Sequence, residues 1–323
     1  MEELTTFLSS IGEEVEDAEE ECFLLFAQDI PSANLGFVDS RATSVDVTIH
    51  GQDYTINQSP TLLSSSRAGG TTGAVLWKIT PLFAEWITTQ SNPFWTSTIL
   101  TPTSTVLELG CGISGLIALT LSPTITHYVA TDQEYVHRLL RSNFEANAPK
   151  QEHPKSKAGS NRKPSKHGSS SNNNKTSQKS TPQSTNITFT TLDWETDDPA
   201  ALKDCIATND GNTGHEDKGF DVLISCDCIY NEALIAPFVR TCADVCRLRP
   251  VYAPGRELGE RKEKPTVCVI AQQQRSPEVF ETWLKETMRV FRVWRVSDEA
   301  LGKKLASGSG YLVHVLVLKD GDQ

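Results

Sequence analysis

Residues 106–116 read VLELGCGISGL. Apolar residues at 106, 107 and 109 run into Gly110, Gly112 and Gly115, which spell G-x-G-x-x-G. That is a strand turning into a helix through a loop whose backbone must bend tightly or approach a ligand closely. The three glycines alone do not say which. A dinucleotide would lay its pyrophosphate here, at the start of the helix. The neighbouring residues have to decide.

Glu108 lies two residues before Gly110, near the carboxyl end of the strand. A carboxylate there repels a pyrophosphate on the following helix and suits a ligand with cationic groups. S-adenosylmethionine is such a ligand, with an ammonium, a sulfonium and no phosphate. Asp132 ends the next strand, 22 residues after Gly110. A carboxylate there accepts the hydroxyls of a ribose, which serves NAD and S-adenosylmethionine equally.

Outward from the loop, strand and helix alternate. TVLELG, ITHYVATD, NITFTTLDW, GFDVLISCD and PTVCVIAQQQ read as strands, and SGLIALTLS, EYVHRLLRSNFEANA, NEALIAPFVRTCADVCRL and PEVFETWLKETMR as helices. Such alternation predicts a mostly parallel sheet covered by helices on both faces. The end is different: VFRVWRVS and GYLVHVLVLK are two strands joined by a loop without a helix, so they should pair antiparallel. A dinucleotide fold repeats its βαβαβ half. A seven-stranded sheet that closes with an antiparallel pair is instead the ending of class I methyltransferase folds. Before the loop, residues 43–58 alternate on either side of HGQD, a β-hairpin pattern. Residues 74–87 carry apolar side chains at 79, 82, 83, 86 and 87, a helical period, with Pro81 in its first turn or kinking it.

The organisation expected is an acidic region over 1–41 and one domain over 42–320, interrupted twice. Residues 149–185, rich in Ser, Lys and Asn with eight Lys or Arg against one Glu, should be a disordered insertion, and 250–265 a surface loop. The net charge of −11 is concentrated at the start: residues 1–30 hold ten Asp or Glu and no Lys or Arg. This reads as a solvated helix or unstructured arm, or as an electrostatic guide for a basic protein. With the remainder near neutral, no direct nucleic-acid surface is expected. No apolar run reaches the length of a membrane span, and the acidic start is unlike a secretory signal. Eight cysteines show no C-x-x-C and no zinc spacing, which fits reduced thiols in the cytoplasm or nucleus and no metal. The chain is expected to act as a monomer.

The stretches GGTTGAVLWKITPLFAEWI, VLELGCGISGL, VATD, LDW and DCIY together resemble methyltransferase family 16, the seven-strand enzymes that methylate lysine. Within it, the hairpin, the G-x-G-I-S loop and AQQQRSPEVFETWL look most like the fungal enzymes that act on a ribosomal protein. One departure is Ser114, where many relatives have a third loop glycine; Gly115 follows it. The resemblance implies an S-adenosylmethionine-dependent protein-lysine N-methyltransferase whose substrate is a ribosomal protein, the large-subunit L1-type protein. An elongation factor as substrate, or a binding module that kept the cofactor fold, are the alternatives. It further implies that Gly110, Cys111 and Gly112 touch the cofactor and that Asp132 takes its ribose. Trp194, with Asp193 beside it, would lie by the adenine, Trp77 near the methionine end, and Cys226 in the adenosine pocket. Asp227 and Tyr230 form D-x-x-Y after the fourth strand, with Asp227 orienting the incoming amine and Tyr230 walling its channel. Taken alone, Asp227 has the alternative reading of an N-cap for a helix beginning near Glu232.

Overall fold

The computed structural model describes residues 2–29, 35–65, 70–148, 186–206, 219–249 and 264–319. The insertion 149–185 and all of the 250–265 loop but its last two residues lie outside the described residues. The strands are β1 (Gly12–Glu14), β2 (Ser44–Ile49), β3 (Gln52–Asn57), β4 (Thr105–Leu109), β5 (His127–Asp132), β6 (Ile187–Thr191), β7 (Val222–Cys226), β8 (Val267–Gln273), β9 (Phe291–Val296) and β10 (Tyr311–Leu318). Eight of them form one sheet in the order β1-β9-β10-β8-β7-β4-β5-β6. β6, β5, β4, β7 and β8 are parallel; β10 inserts between β8 and β9 and runs antiparallel to both. With parallel strands on both sides of β4 and an antiparallel strand slotted in near one edge, this is the class I methyltransferase sheet.

The strands are apolar almost throughout because both faces are covered. On β4, Val106 packs into one core and its neighbours Leu107 and Leu109 into the other. β7 and β8 divide in the same way: Val222, Ile224, Val267 and Val269 face one layer, Leu223, Cys268 and Ile270 the other. This is the period of two expressed on two buried faces.

The hairpin β2–β3 stands as a separate two-stranded sheet. His50 and Gly51 at its turn both have positive φ, 49° and 77°, as a tight two-residue hairpin turn requires. It is tied to the helix Glu134–Ala146 through Asn143, whose Oδ1 accepts the Asn57 amide at 2.8 Å. The helix over 74–87 begins only at Ile79, with Pro81 in its first turn. Trp77 therefore precedes the helix, and its backbone pairs with Phe37.

Two expectations are corrected. The acidic start is neither arm nor merely solvated helix. Its helix Glu2–Ile11 buries Leu4, Phe7, Leu8 and Ile11, β1 adds an edge strand to β9, and a second helix, Ala18–Phe26, buries Cys22 and Leu25. Apolar side chains spaced three and four apart make one buried stripe even among carboxylates. The link from β9 to β10 also carries one helical turn, Asp298–Leu301, capped by Ser297.

Candidate active site

Open α/β sheets place ligands beyond the carboxyl ends of their strands, where the direction of chain progression reverses. β4 lies at that point, between β5 and β7. The cavity found there has a volume of about 960 Å³ including its mouth. Its walls include Trp77, Glu108, Gly110, Cys111, Gly112, Asp132, Asp193, Trp194, Cys226, Asp227 and Tyr230. Every residue assigned to the cofactor or the amine from the sequence thus lies on one cavity, although the chain separates the first from the last by about half its length.

Gly110 and Gly112 adopt positive φ, 72° and 60°. A Cβ at Gly110 would stand 2.4 Å from the Cys228 sulfur and 3.5 Å from the Trp194 ring. Gly115 works differently: it is absent from the cavity wall, and a Cβ there would strike Phe144 and Leu140. Two glycines of the fingerprint therefore open the cavity and the third lets the helix Glu134–Ala146 pack close.

Asp132 spans the loop. Its Oδ2 accepts the Gly112 amide at 2.8 Å and its Oδ1 accepts the Gln133 amide at 2.7 Å. Burial pushes its carboxyl up to about 6, opposed by those two amides. Each oxygen retains a lone pair for a further donor such as a ribose hydroxyl. Glu108 is buried and accepts the Tyr128 hydroxyl at 2.7 Å. Burial pushes it up to about 8, with the Tyr128 hydrogen bond pulling down and Asp132 adding to the rise. This corrects the charge argument made from sequence: at pH 7 Glu108 largely keeps its proton in the free protein. A cation brought against it would favour the ionised form.

The lining as a whole is more decisive than Glu108. Among the described residues it holds five carboxyl groups, Glu108, Asp132, Asp193, Glu195 and Asp227, and no Lys, Arg or His. A pyrophosphate finds no cationic partner in such a wall, whereas a sulfonium and an ammonium find carboxyls and the Trp77 ring. The residues present fit S-adenosylmethionine.

Asp227 is held unusually for a residue after a strand. Its φ is 65°, in the left-handed region, and its side chain is 2 % exposed. Arg275 grips it through both nitrogens, Nη1 to Oδ1 at 2.5 Å and Nη2 to Oδ2 at 2.6 Å, and the Gln273 amide donates to Oδ1 at 3.2 Å. Asp227 does not cap the following helix: Asn231 does, accepting the Ala233 amide at 3.1 Å. Tyr230 is partly exposed at the mouth, and its hydroxyl accepts a hydrogen bond from Thr72 at 3.0 Å. Trp77 donates its Nε1–H to the Thr72 carbonyl at 3.1 Å. Trp194 stands edge-on to Phe238, with ring centroids 5.1 Å apart. Cys111, Cys226 and Cys228 are all pushed above the usual thiol range by burial, which leaves them inert walls.

Residues not anticipated are Arg275, Thr72 and Gly73. The Gly73 carbonyl accepts the Ile113 amide at 2.9 Å, and a Cβ on Gly73 would lie 2.8 Å from the Tyr135 hydroxyl. The sequence signal was the last glycine of GGTTG, Gly73, which packs its loop against Gly112.

Residues 56–159 match the lysine methyltransferase family. The relatives name both this activity and another. The chain is 28% identical over 296 residues to a Schizosaccharomyces pombe protein named diaminohydroxyphosphoribosylamino-pyrimidine deaminase, covering 91% of this chain and 57% of that one. It is 28% identical to ribosomal lysine N-methyltransferase 5 of Zygosaccharomyces rouxii, covering 79% of this chain and 77% of that one. The namesake of Lachancea thermotolerans is 23% identical, covering 84% and 87%. The chain thus spans little more than half of the S. pombe protein. Zinc deaminases draw two zinc ligands from a C-x-x-C, and this sequence contains none. The lysine methyltransferase match instead includes the glycine loop and Asp132 of the cavity.

Proposed function

We propose that this protein is an S-adenosylmethionine-dependent protein-lysine N-methyltransferase acting on a ribosomal protein, the large-subunit L1-type protein. The observation that carries the proposal is the cavity at the carboxyl ends of β4, β5 and β7, with its five carboxyl groups and no cationic side chain among the described lining. The ribosomal target is supported by the names of the relatives.

In this reading Gly110 and Gly112 let the backbone approach the nucleoside, Asp132 takes its ribose hydroxyls and Trp194 offers a ring to the base. Cys111 and Cys226 fill the walls. Glu108 and Trp77 face the charged methionine end. Bound there, S-adenosylmethionine supplies an electrophilic methyl group. The protein must then present a lysine with its lone pair free. Lysine in water has a pKa near 10.4 and is protonated at neutral pH. Tyr230 and Trp77 form an aromatic entrance that excludes water and disfavours the ammonium form. Asp227 Oδ2, at the inner end of that entrance, accepts an N–H of the neutral amine and aims its lone pair inward.

The test uses the full chain. Calorimetry should give tight binding of S-adenosylhomocysteine and none of NAD. Purified L1-type protein should then gain methyl groups, read by mass spectrometry. Asp227→Ala should lose about 100-fold in methyl transfer, the scale set by mispositioning one reactant, with cofactor affinity retained. Full transfer by a folded Asp227→Ala protein would remove Asp227 from the mechanism. Methylation of another lysate protein and not of the L1-type protein would move the target alone.

A further inference from the structure

The residue after β8 that sequence reasoning passed over lies against both cation-binding elements of the entrance. Arg275 Nη1 and Nη2 bond Asp227 in parallel, and its guanidinium carbon lies 4.7 Å from the centre of the Trp77 ring. Nη2 also reaches Gln273 Oε1 at 3.4 Å, which in turn accepts the Gly36 amide at 2.7 Å. Trp77 is also packed by Phe37, with ring centroids 4.2 Å apart. A guanidinium so placed has little freedom. Breaking a pair with a carboxylate this buried leaves an uncompensated charge, so Arg275 stays in place while substrate enters. The pair carries no net charge. A bare carboxylate at the entrance would hold an incoming lysine as ammonium, which cannot attack a methyl group.

We infer that Arg275 is a positioning residue of the methyl-transfer site: it fixes Asp227 through both oxygens and cancels its charge, so that the lysine amine is received in its neutral form. The inference rests on the lysine methyltransferase reading above. Asp227 retains one lone pair on Oδ2 for the amine, since Oδ1 takes both Arg275 Nη1 and the Gln273 amide.

The other titratable groups facing this pair are Cys226, Cys228 and Tyr230 from the end of β7, and Tyr311 from β10, pushed up to about 12 by burial and by Asp227. Glu108 and Asp132 lie further along the cavity from β4 and β5. All are common to the wild type and an Arg275 variant, so a difference between their pH profiles reports Arg275.

Two substitutions separate the two parts of the role. Arg275→Gln keeps a donor for Asp227 but removes the positive charge. The acid limb of kcat/KM for the ribosomal protein should move about one pH unit upward, because the bare carboxylate stabilises the ammonium. Its rate should fall about tenfold at pH 7.5 and recover near pH 9.5. Arg275→Lys keeps the charge but loses the parallel pair of bonds. Its acid limb should stay where it is while kcat falls about tenfold, with KM within twofold. S-adenosylhomocysteine affinity, measured by calorimetry, should be unchanged in both. An Arg275→Gln loss equal at every pH, or a wild-type kcat in Arg275→Lys, would overturn the inference; the lysine variant decides it if the glutamine variant does not fold. Absence of methyl transfer to lysine by the wild-type protein would overturn the activity first and this inference with it.

Discussion

The first 30 residues carry ten carboxyl groups and the cavity wall carries five, and the deeper acids of the wall behave differently from those of the segment. In the N-terminal segment half of the acids meet cations or backbone at the surface. Glu14 pairs with Arg292, Glu13 with Arg295 and Glu19 with Lys285, and Asp17 caps its helix through the Glu19 and Glu20 amides. Their number is conspicuous, but the segment is held by the apolar stripe beneath them. In the cavity Glu108 and Asp227 are buried and Asp132 is half-buried, and burial and partner together decide their state. Tyr128 offers Glu108 one hydroxyl and leaves it largely protonated at neutral pH; backbone amides hold Asp132; a guanidinium matches Asp227. Burial and partner, not the count of carboxyls, separate a surface that shields a core from a site that handles a cation.

The strongest way to break this comparison is to attack the apolar stripe. Phe7 is fully buried and meets Phe94 edge-on at 5.0 Å. Phe7→Ala should cost about 3–5 kcal/mol in a denaturant titration, the range for deleting a buried aromatic ring. A cost below about 0.5 kcal/mol would make the acidic segment a dispensable arm after all.

Glu21 is the N-terminal acid that crosses into the buried class. It accepts from Arg295 Nη1 at 2.7 Å and lies 3.4 Å from the fully buried His314. Glu21→Gln should lose about 2 kcal/mol, in the range for a hydrogen bond to a charged group, measured by the same titration. A change indistinguishable from that of a surface glutamate would put Glu21 back with its neighbours.

Glu108 sharpens the other half. Its carboxyl is raised from 4.5 to about 8 in the folded protein. A raised acid contributes stability that is present below the unfolded pKa and lost as pH rises through the folded one. Stability of the free protein should therefore fall between about pH 5 and pH 8, and Glu108→Gln should flatten that slope in thermal melts. The same variant should bind S-adenosylmethionine about tenfold more weakly at pH 8.5, about 1.4 kcal/mol, and differ less at pH 6, where the wild-type group is already neutral. Superposable pH curves for wild type and variant would remove Glu108 as the group that responds to the cation.

The smallest effect belongs to the exposed pairs. Glu14→Gln removes the carboxylate facing Arg292 at the sheet edge and should cost less than about 1 kcal/mol, and less again at high salt.

Much of the fold was legible because buried parallel strands and amphipathic helices advertise themselves by period. The five parallel strands, the closing antiparallel pair and the hairpin all follow from apolar spacing and turn residues near in sequence. The N-terminal helices were misjudged because net charge masked a period of three and four formed by Leu4, Phe7, Leu8 and Ile11. The placement of β10 between β8 and β9 involves partners distant in the chain, and alternation alone carries no sign of it.

The cavity divides along the same line. Glycines that need positive φ, a carboxylate ending a strand and a D-x-x-Y after another are local facts, and the sequence by itself determined them. What only the tertiary structure decided is the state of each group. The protonation of Glu108 depends on burial between layers, the confinement of Asp227 on an arginine 48 positions away, and the misfit of a pyrophosphate on the absence of cations among the described residues of a wall assembled by separate loops. Desolvation and charge pairing act through space at a few ångströms, and only folding sets those distances.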